Sequence, residues 1–268
     1  MPKNFLILIV LLTITLNIPA QNIPPDTTWN QIDQAGNKQG WWKKFYPDGT
    51  VMYTGFFVND SPRGTFERYF ENGKRKAVMH FSDDGKSAYA NLFYMNGERA
   101  AEGKYVETLK DSTWNYYSYY SQTLSLVENY YAGQKNGPSM KYYDNGSVAE
   151  IIEWESDIKQ GKWLQYFEDG SLRLSCSYID DKTDGPYKVY TAPNRLAIDG
   201  KYTRGNMDGK WDFFNENGVL EYELFYENGK ALNDSILEEK SQKFIEELEK
   251  NIGTIPEPDF ENFIPERN

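Results

Sequence analysis

Few side chains in this chain are of a reactive type, and those present stand apart from one another. His80 is the only histidine, so a histidine-based triad has no choice of base, and no Gly-x-Ser-x-Gly elbow surrounds any serine. His80 also adjoins Phe81, which reads as a strand residue on the opposite face from that ring. Cys176 is the only cysteine. It excludes an intrachain disulfide and reads as a small packed apolar group, with pairing between chains as the alternative. No His/Cys cluster has the spacing for zinc. Asp180-Asp181-Lys182-Thr183-Asp184-Gly185 begins like a calcium loop, but its third position is Lys and no Glu stands at the twelfth. Glu153 and Glu155 share one face of a strand, as glycosidase acids would, yet without a pocket signal they read as solvated. No catalytic residue, metal site or cofactor is expected, and the chain does not read as an enzyme.

What the chain has in quantity is aromatic rings, and they recur on a beat. One column is Phe45, Tyr69, Phe93, Tyr117, Tyr142, Tyr166, Tyr190 and Phe214. A second is Phe57, Phe81, Tyr105, Tyr130, Trp154, Tyr178, Tyr202 and Tyr226. Each steps by 24 residues except for one step of 25, and a single extra residue between Tyr117 and Tyr130 explains both exceptions. A fixed period of this length marks a tandem array of small units that pack on their neighbours.

The rings must sit on strands. Asp48-Gly49, Asn72-Gly73, Asn96-Gly97, Asn145-Gly146, Asp169-Gly170 and Asn217-Gly218 recur in register. Such pairs tolerate the positive φ that tight hairpins need, and the flanking runs of Tyr, Phe, Trp and Val favour strands. A second glycine, at Gly40, Gly64, Gly137, Gly161, Gly185 and Gly209, opens most copies and reads as part of the turn between them. The fold class is therefore all-β. About eight 24-residue hairpins form an antiparallel meander, one elongated twisted sheet on the order of 75 Å long. If both columns face one side, their rings interleave and stabilise units that are marginal alone.

A looser third column, Trp42, Phe66, Ala90, Trp114, Ser139, Trp163, Tyr187 and Trp211, lies three residues before the first and points to the other face. Either both faces are partly covered, or Trp42, Trp114, Trp163 and Trp211 form an exposed strip that binds a ligand. Three copies depart from the pattern. The fourth has Tyr120-Ser121 at its turn and the seventh Pro193-Asn194, so both loops should differ. The third lacks the opening glycine and has Ala90 in place of Trp, so its packing should be thinner.

The array has distinct ends. Residues 1–20 combine Lys3, an apolar run Phe5–Leu16 and a small residue at Ala20, the order of a secretory leader. The run is short for a membrane span. Cleavage near Ala20 would deliver an exported chain, periplasmic or secreted, with no transmembrane span in its mature form. Residues 21–39 read as a lead-in hairpin over one sheet edge, 40–232 as the eight-copy array, 233–253 as an amphipathic helix, and 254–268 as a loose tail. The helix signals are a capping box at Ser235–Glu238, apolar residues at Leu237, Phe244, Ile245, Leu248 and Ile252, and a stop at Gly253. It serves either as a lid on the last strands or as a docking element.

Mean hydropathy is −0.73, yet 16% of residues are aromatic, which suits a thin ring-cored structure and not disorder. The net charge of −11 becomes −12 when Lys3 leaves with the leader. Nucleic acid and anionic lipid are poor partners for that sign.

Lys38-Gln-Gly-Trp-Trp-Lys-Lys-Phe-Tyr-Pro-Asp-Gly49, echoed at Asn145-Gly146, Lys162-Trp163 and Lys210-Trp211, resembles the MORN repeat in its bacterial variant form, over about residues 28 to 232. The resemblance implies hairpin arrays that act as scaffolds or binding surfaces, and some bacterial members are antitoxin components. It supplies no catalytic residue. The expected function is a non-catalytic exported scaffold for a protein partner. A carbohydrate-binding module using the exposed rings, with polysaccharide as its ligand, and an antitoxin or immunity role are the alternatives.

Overall fold

The computed structural model describes residues 23–251. The leader, Ile252, Gly253 and the tail from Thr254 lie outside them. Within that span sixteen strands of six to nine residues, from Lys38–Phe45 to Leu220–Glu227, run in chain order. Each pairs antiparallel with the next in a single sheet. The eight expected hairpins are all present.

The two kinds of turn differ from the expectation in an instructive way. At Asp48-Gly49 only the glycine takes the left-handed conformation, with φ 90°. The Gly49 N–H donates to the Tyr46 carbonyl and the Tyr46 N–H to the Thr50 carbonyl, a type I turn closed by a glycine bulge. The tight two-residue turns lie at the other edge, between copies. Both residues are left-handed at Asn59-Asp60 (φ 48° and 62°) and at Ser156-Asp157 (φ 51° and 68°). The opening glycines belong to neither turn. Gly161 sits in a bulge of its strand, between the Trp154–Lys159 and Ile152–Trp163 pairs, at φ 102°. The third copy, which lacks this glycine, pairs Phe81 with Ala88 without a bulge and closes instead through the longer loop Ser82–Lys86. The fourth and seventh loops also depart as expected. Ser118 bonds to Thr123 across one extra residue, and Ala192 pairs with Arg195 across Pro193-Asn194.

These bulges decide which rings share a face. The second and third columns lie together: Trp42 with Phe57, Phe66 with Phe57 and Phe81, Trp114 with Tyr105, Trp163 with Tyr178, and Trp211 with Tyr202 and Tyr226, at centroid distances of 4.8 to 6.3 Å. The first column alternates to the opposite face, where Phe45 shares Lys43 with Trp29. Interleaving of the first and second columns is thus not what holds the copies together.

The ring face is ordered by size. In four copies the third-column residue and the residue of the preceding strand that it lies against vary inversely in size. Phe66 lies over Gly55, Trp114 over Gly103 and Trp211 over Gly200, so closely that an added Cβ would come within 2.1 to 2.3 Å of each ring. Where the third-column residue is Ala90, its partner is Met79. The glycines let the indoles lie flat. Trp114 Nε1 then donates to the Lys104 carbonyl at 3.0 Å and Trp211 Nε1 to the Lys201 carbonyl at 3.2 Å. Ile152 lies opposite Trp163, whose Nε1 turns to Glu150 instead. Burying Trp114 contributes about 2–3 kcal/mol, with about 1 kcal/mol more from its edge contact with Tyr105.

Hydrogen bonds tie the copies along both edges. Tyr46, Tyr94 and Tyr143 each donate a hydroxyl to the carbonyl of Tyr69, Tyr117 and Tyr166 in the next copy, at 2.7 to 2.8 Å. On the opposite edge inter-copy turns bond to the strand start before them, as Asp60 to Lys38, Asp157 to Lys135 and Asp181 to Lys159. The lead-in Gln31–Ile32 pairs with Lys38 and Gln39.

The helix spans Ser235–Asn251. The Asp234 carbonyl accepts its first bond, from the Glu238 N–H, so the cap is Asp234 and not Ser235. The helix is no lid. Leu237, Phe244, Ile245 and Leu248 are all exposed, and its side chains meet the sheet through Lys240, which pairs with Glu221 and lies over the Tyr222 ring.

Candidate functional site

The third copy is where the ring face opens. With Ala90 in the aromatic column and alanines at 77, 88 and 101, the sheet carries little side-chain bulk there, and Ala77, Ala88, Ala90 and Ala101 are buried beneath their neighbours. A trough of about 850 Å³ results. Its floor is Ala77, Met79, Ala88 and Leu92, and Phe81 and Tyr105 flank it. Burial holds the Tyr105 hydroxyl above its ordinary pKa, so this wall is neutral. Three cations line the trough, Arg68, Lys76 and Lys86, against one acid, Glu107. In a chain of net charge −11 that local excess of positive charge favours an apolar ligand with acidic flanks.

Beside the trough lies a polar cluster that the sequence pattern does not announce as a unit. Glu128 is 7% exposed. It pairs with Lys135 at 2.5 Å and accepts from the Tyr130 hydroxyl at 2.6 Å. Lys110 donates to the Tyr116 hydroxyl at 2.6 Å and lies over the rings of Trp114, Tyr116 and Tyr130. Desolvation lowers the Lys110 pKa. Burial and the Glu128 carboxylate raise Tyr130 to about 12. These groups satisfy one another and present no free nucleophile. The available signal was positional: Glu128 stands where other copies have Gly103, Ile152 or Gly200, and it faces the weakest stretch of the third column, at Ser139.

The tryptophans expected as an exposed strip are not one. Trp114 is 0% and Trp211 2% exposed, because each is pressed on a glycine backbone; Trp42 and Trp163 are half-buried. A row of faces for stacking on sugar rings is therefore absent among the described residues. His80 lies opposite Thr65 with Nδ1 3.2 Å from its hydroxyl, and Cys176 is buried across from Trp163. Both are packing residues.

Residues 38–59, 62–83, 159–180 and 207–230 match the family model of the MORN repeat variant. These four stretches are MORN-type repeats. The matched stretches fall on the first, second, sixth and eighth hairpins, and the hairpins between them share the same pairing and turns. MORN repeats are in general protein- or membrane-binding motifs and typically not enzymes. No curated protein matches this chain significantly. Among solved structures, TarM is 12% identical over 37% of this chain and 20% of its own, with a TM-score of 0.27. The TCP10 domain of Danio rerio CPAP, solved with a peptide of STIL, is 14% identical over 69% of this chain and 98% of its own, with a TM-score of 0.17. At such scores neither likeness bears on this protein. The chain spans about a fifth of the length of TarM.

Proposed function

We propose that the protein is an exported, non-catalytic scaffold whose third copy receives an apolar, acid-flanked segment of a protein partner. The observation that carries this reading is the trough over Ala77, Met79, Ala88 and Leu92 with Arg68, Lys76 and Lys86 along it. An apolar floor supplies affinity, and charged flanks select the partner and speed its arrival. Export rests on the order of residues in 1–20, a positive start, a short apolar run and a small residue at Ala20.

The test places a photo-crosslinking amino acid at Phe70, on the trough wall, in the full-length protein expressed in its own cells. A discrete adduct in the exported fraction, lost on Leu92→Glu, supports the reading. An adduct pattern indifferent to Leu92→Glu overturns it. N-terminal sequencing of the exported chain should begin at or near Gln21, and an uncleaved chain in the cytosol overturns the export arm.

A further inference from the structure

We propose that the segment filling the trough is the C-terminal helix, Ser235–Asn251, of a second copy of this chain. The inference rests on the trough being a docking site, and it names the occupant. The helix is the complementary object in three respects. It leaves Leu237, Phe244, Ile245 and Leu248 exposed, and at 3.6 residues per turn these lie on one stripe. Glu238 and Glu249 border that stripe on one side, where they would meet Lys76 and Lys86. Seventeen residues make a helix of about 25 Å, close to the roughly 23 Å length of the strand Arg75–Phe81 that floors the trough.

The helix cannot serve its own trough. About eleven strand spacings, on the order of 50 Å, separate the strand Ser87–Phe93 from Leu220–Glu227. The link from Ala231 to Ser235 spans at most about 14 Å. Lys240, on the other border of the stripe, meets Glu221 and Tyr222 of its own sheet and steers the helix without covering its apolar side. A second copy related by a two-fold axis satisfies both helices and both troughs at once. Association through the sheet edges is disfavoured by comparison, because Asn30 and Asn233 already bond to the outer strands.

Sedimentation of the mature full chain tests this. The wild type should self-associate with rising concentration. Leu92→Glu, which puts a carboxylate on the trough floor, and Phe244→Asp with Leu248→Asp, which spoils the stripe, should each weaken association at least tenfold. The two variants mixed should recover a heterodimer, since one keeps its helix and the other its trough. Leu92 is half-buried, so a charge exchange guards against misfolding. Lys76→Glu with Lys86→Glu should weaken association, and Glu238→Lys with Glu249→Lys on the partner should restore it. A wild type monomeric at every concentration, or association indifferent to both sets of changes, overturns the proposal. If that monomer still gives a Leu92-dependent crosslink to a different protein, the docking reading stands while this inference fails; if the crosslink is absent too, both fall.

Discussion

The indole of Trp114 lies on the backbone of Gly103, and an added Cβ there would come within 2.3 Å of the ring. Gly103 is not in a turn and has no left-handed φ. It is glycine because a ring occupies the space above it. Gly103→Ala should therefore destabilise the protein by about 2–3 kcal/mol through overpacking. Gly146 differs: it has φ 84°, and nothing lies within 4 Å of the place a methyl carbon would take. Gly146→Ala should cost only about 1 kcal/mol, from backbone conformation. Urea unfolding of both variants decides the matter. Equal losses would mean that the ring–glycine contact is not what selects Gly103.

Met79 and Ala90 invert the sizes found at Gly103 and Trp114. Ala90→Trp alone should overpack against Met79 and lower stability by about 1–3 kcal/mol. Adding Met79→Gly should recover at least about 1 kcal/mol of that loss, since residues in contact couple by roughly 0.5–3 kcal/mol in double-mutant cycles. Additive losses would show that the two positions do not form a packing unit.

This reciprocity explains how much of the molecule was legible in the sequence. The period and the strand-forming runs specify eight hairpins, and Ala90 already marked the third copy as thin. The facing of the columns was not legible, because it depends on the parity of residues between strands. The bulges at Gly64 and Gly161 and the glycine-closed turns such as that at Gly49 change that parity. A glycine in the sequence does not say whether it serves a turn, as Gly49, a bulge, as Gly161, or a ring, as Gly200. The trough needed one further fact, that the second and third columns share a face, so that Ala77 and Ala88 fall beneath the same gap.

Tyr46, Tyr94 and Tyr143 bind successive copies through one hydroxyl each. Phe70 and Phe167 occupy the equivalent places in other copies, so the ring fits without the hydroxyl. Tyr94→Phe should lower stability by about 1 kcal/mol and speed amide exchange in the Asn96-Gly97 turn more than at the distant Ser156-Asp157 turn. Uniform acceleration across the array would argue against a local tie between neighbours.

Glu128 makes stability depend on acid. Burial opposes its charge, but the Lys135 ammonium and the Tyr130 hydroxyl more than offset it, and the pKa falls below the ordinary glutamate value. A carboxylate depressed in the folded state stabilises the fold above its unfolded pKa, about 4.3, and that contribution is lost as pH falls through the folded value. The Tm of the wild type should therefore drop more steeply below about pH 4.5 than that of Glu128→Gln. Parallel curves from about pH 7 to pH 3 would place the acid sensitivity elsewhere, with Glu150, depressed by Lys141, Trp163 and Gln165 against the cost of burial, the next carboxylate to replace.

Both ends of the sheet are closed by an asparagine acting as a fragment of strand. Asn233 stands where a ninth copy would place its opening glycine. Its Nδ2 donates to the Glu223 carbonyl at 3.0 Å, and its Oδ1 accepts from the Phe225 N–H at 2.8 Å. Asn30 plays a related part at the start, its side-chain Oδ1 accepting from the Lys43 N–H at 2.9 Å while its backbone N–H donates to the Trp41 carbonyl. An open edge recruits other strands, so these side chains end a sheet that the repeat pattern alone would let continue. Asn233→Ala should free both groups, lower local stability by about 1 kcal/mol, accelerate amide exchange at Phe225 and raise light scattering from end-on association. Asn233→Asp keeps an acceptor for Phe225 but loses the donor to Glu223, so exchange at Phe225 should stay slow while scattering rises only partway. If Asn233→Ala leaves exchange at Phe225 unchanged, the edge is protected by something other than this amide.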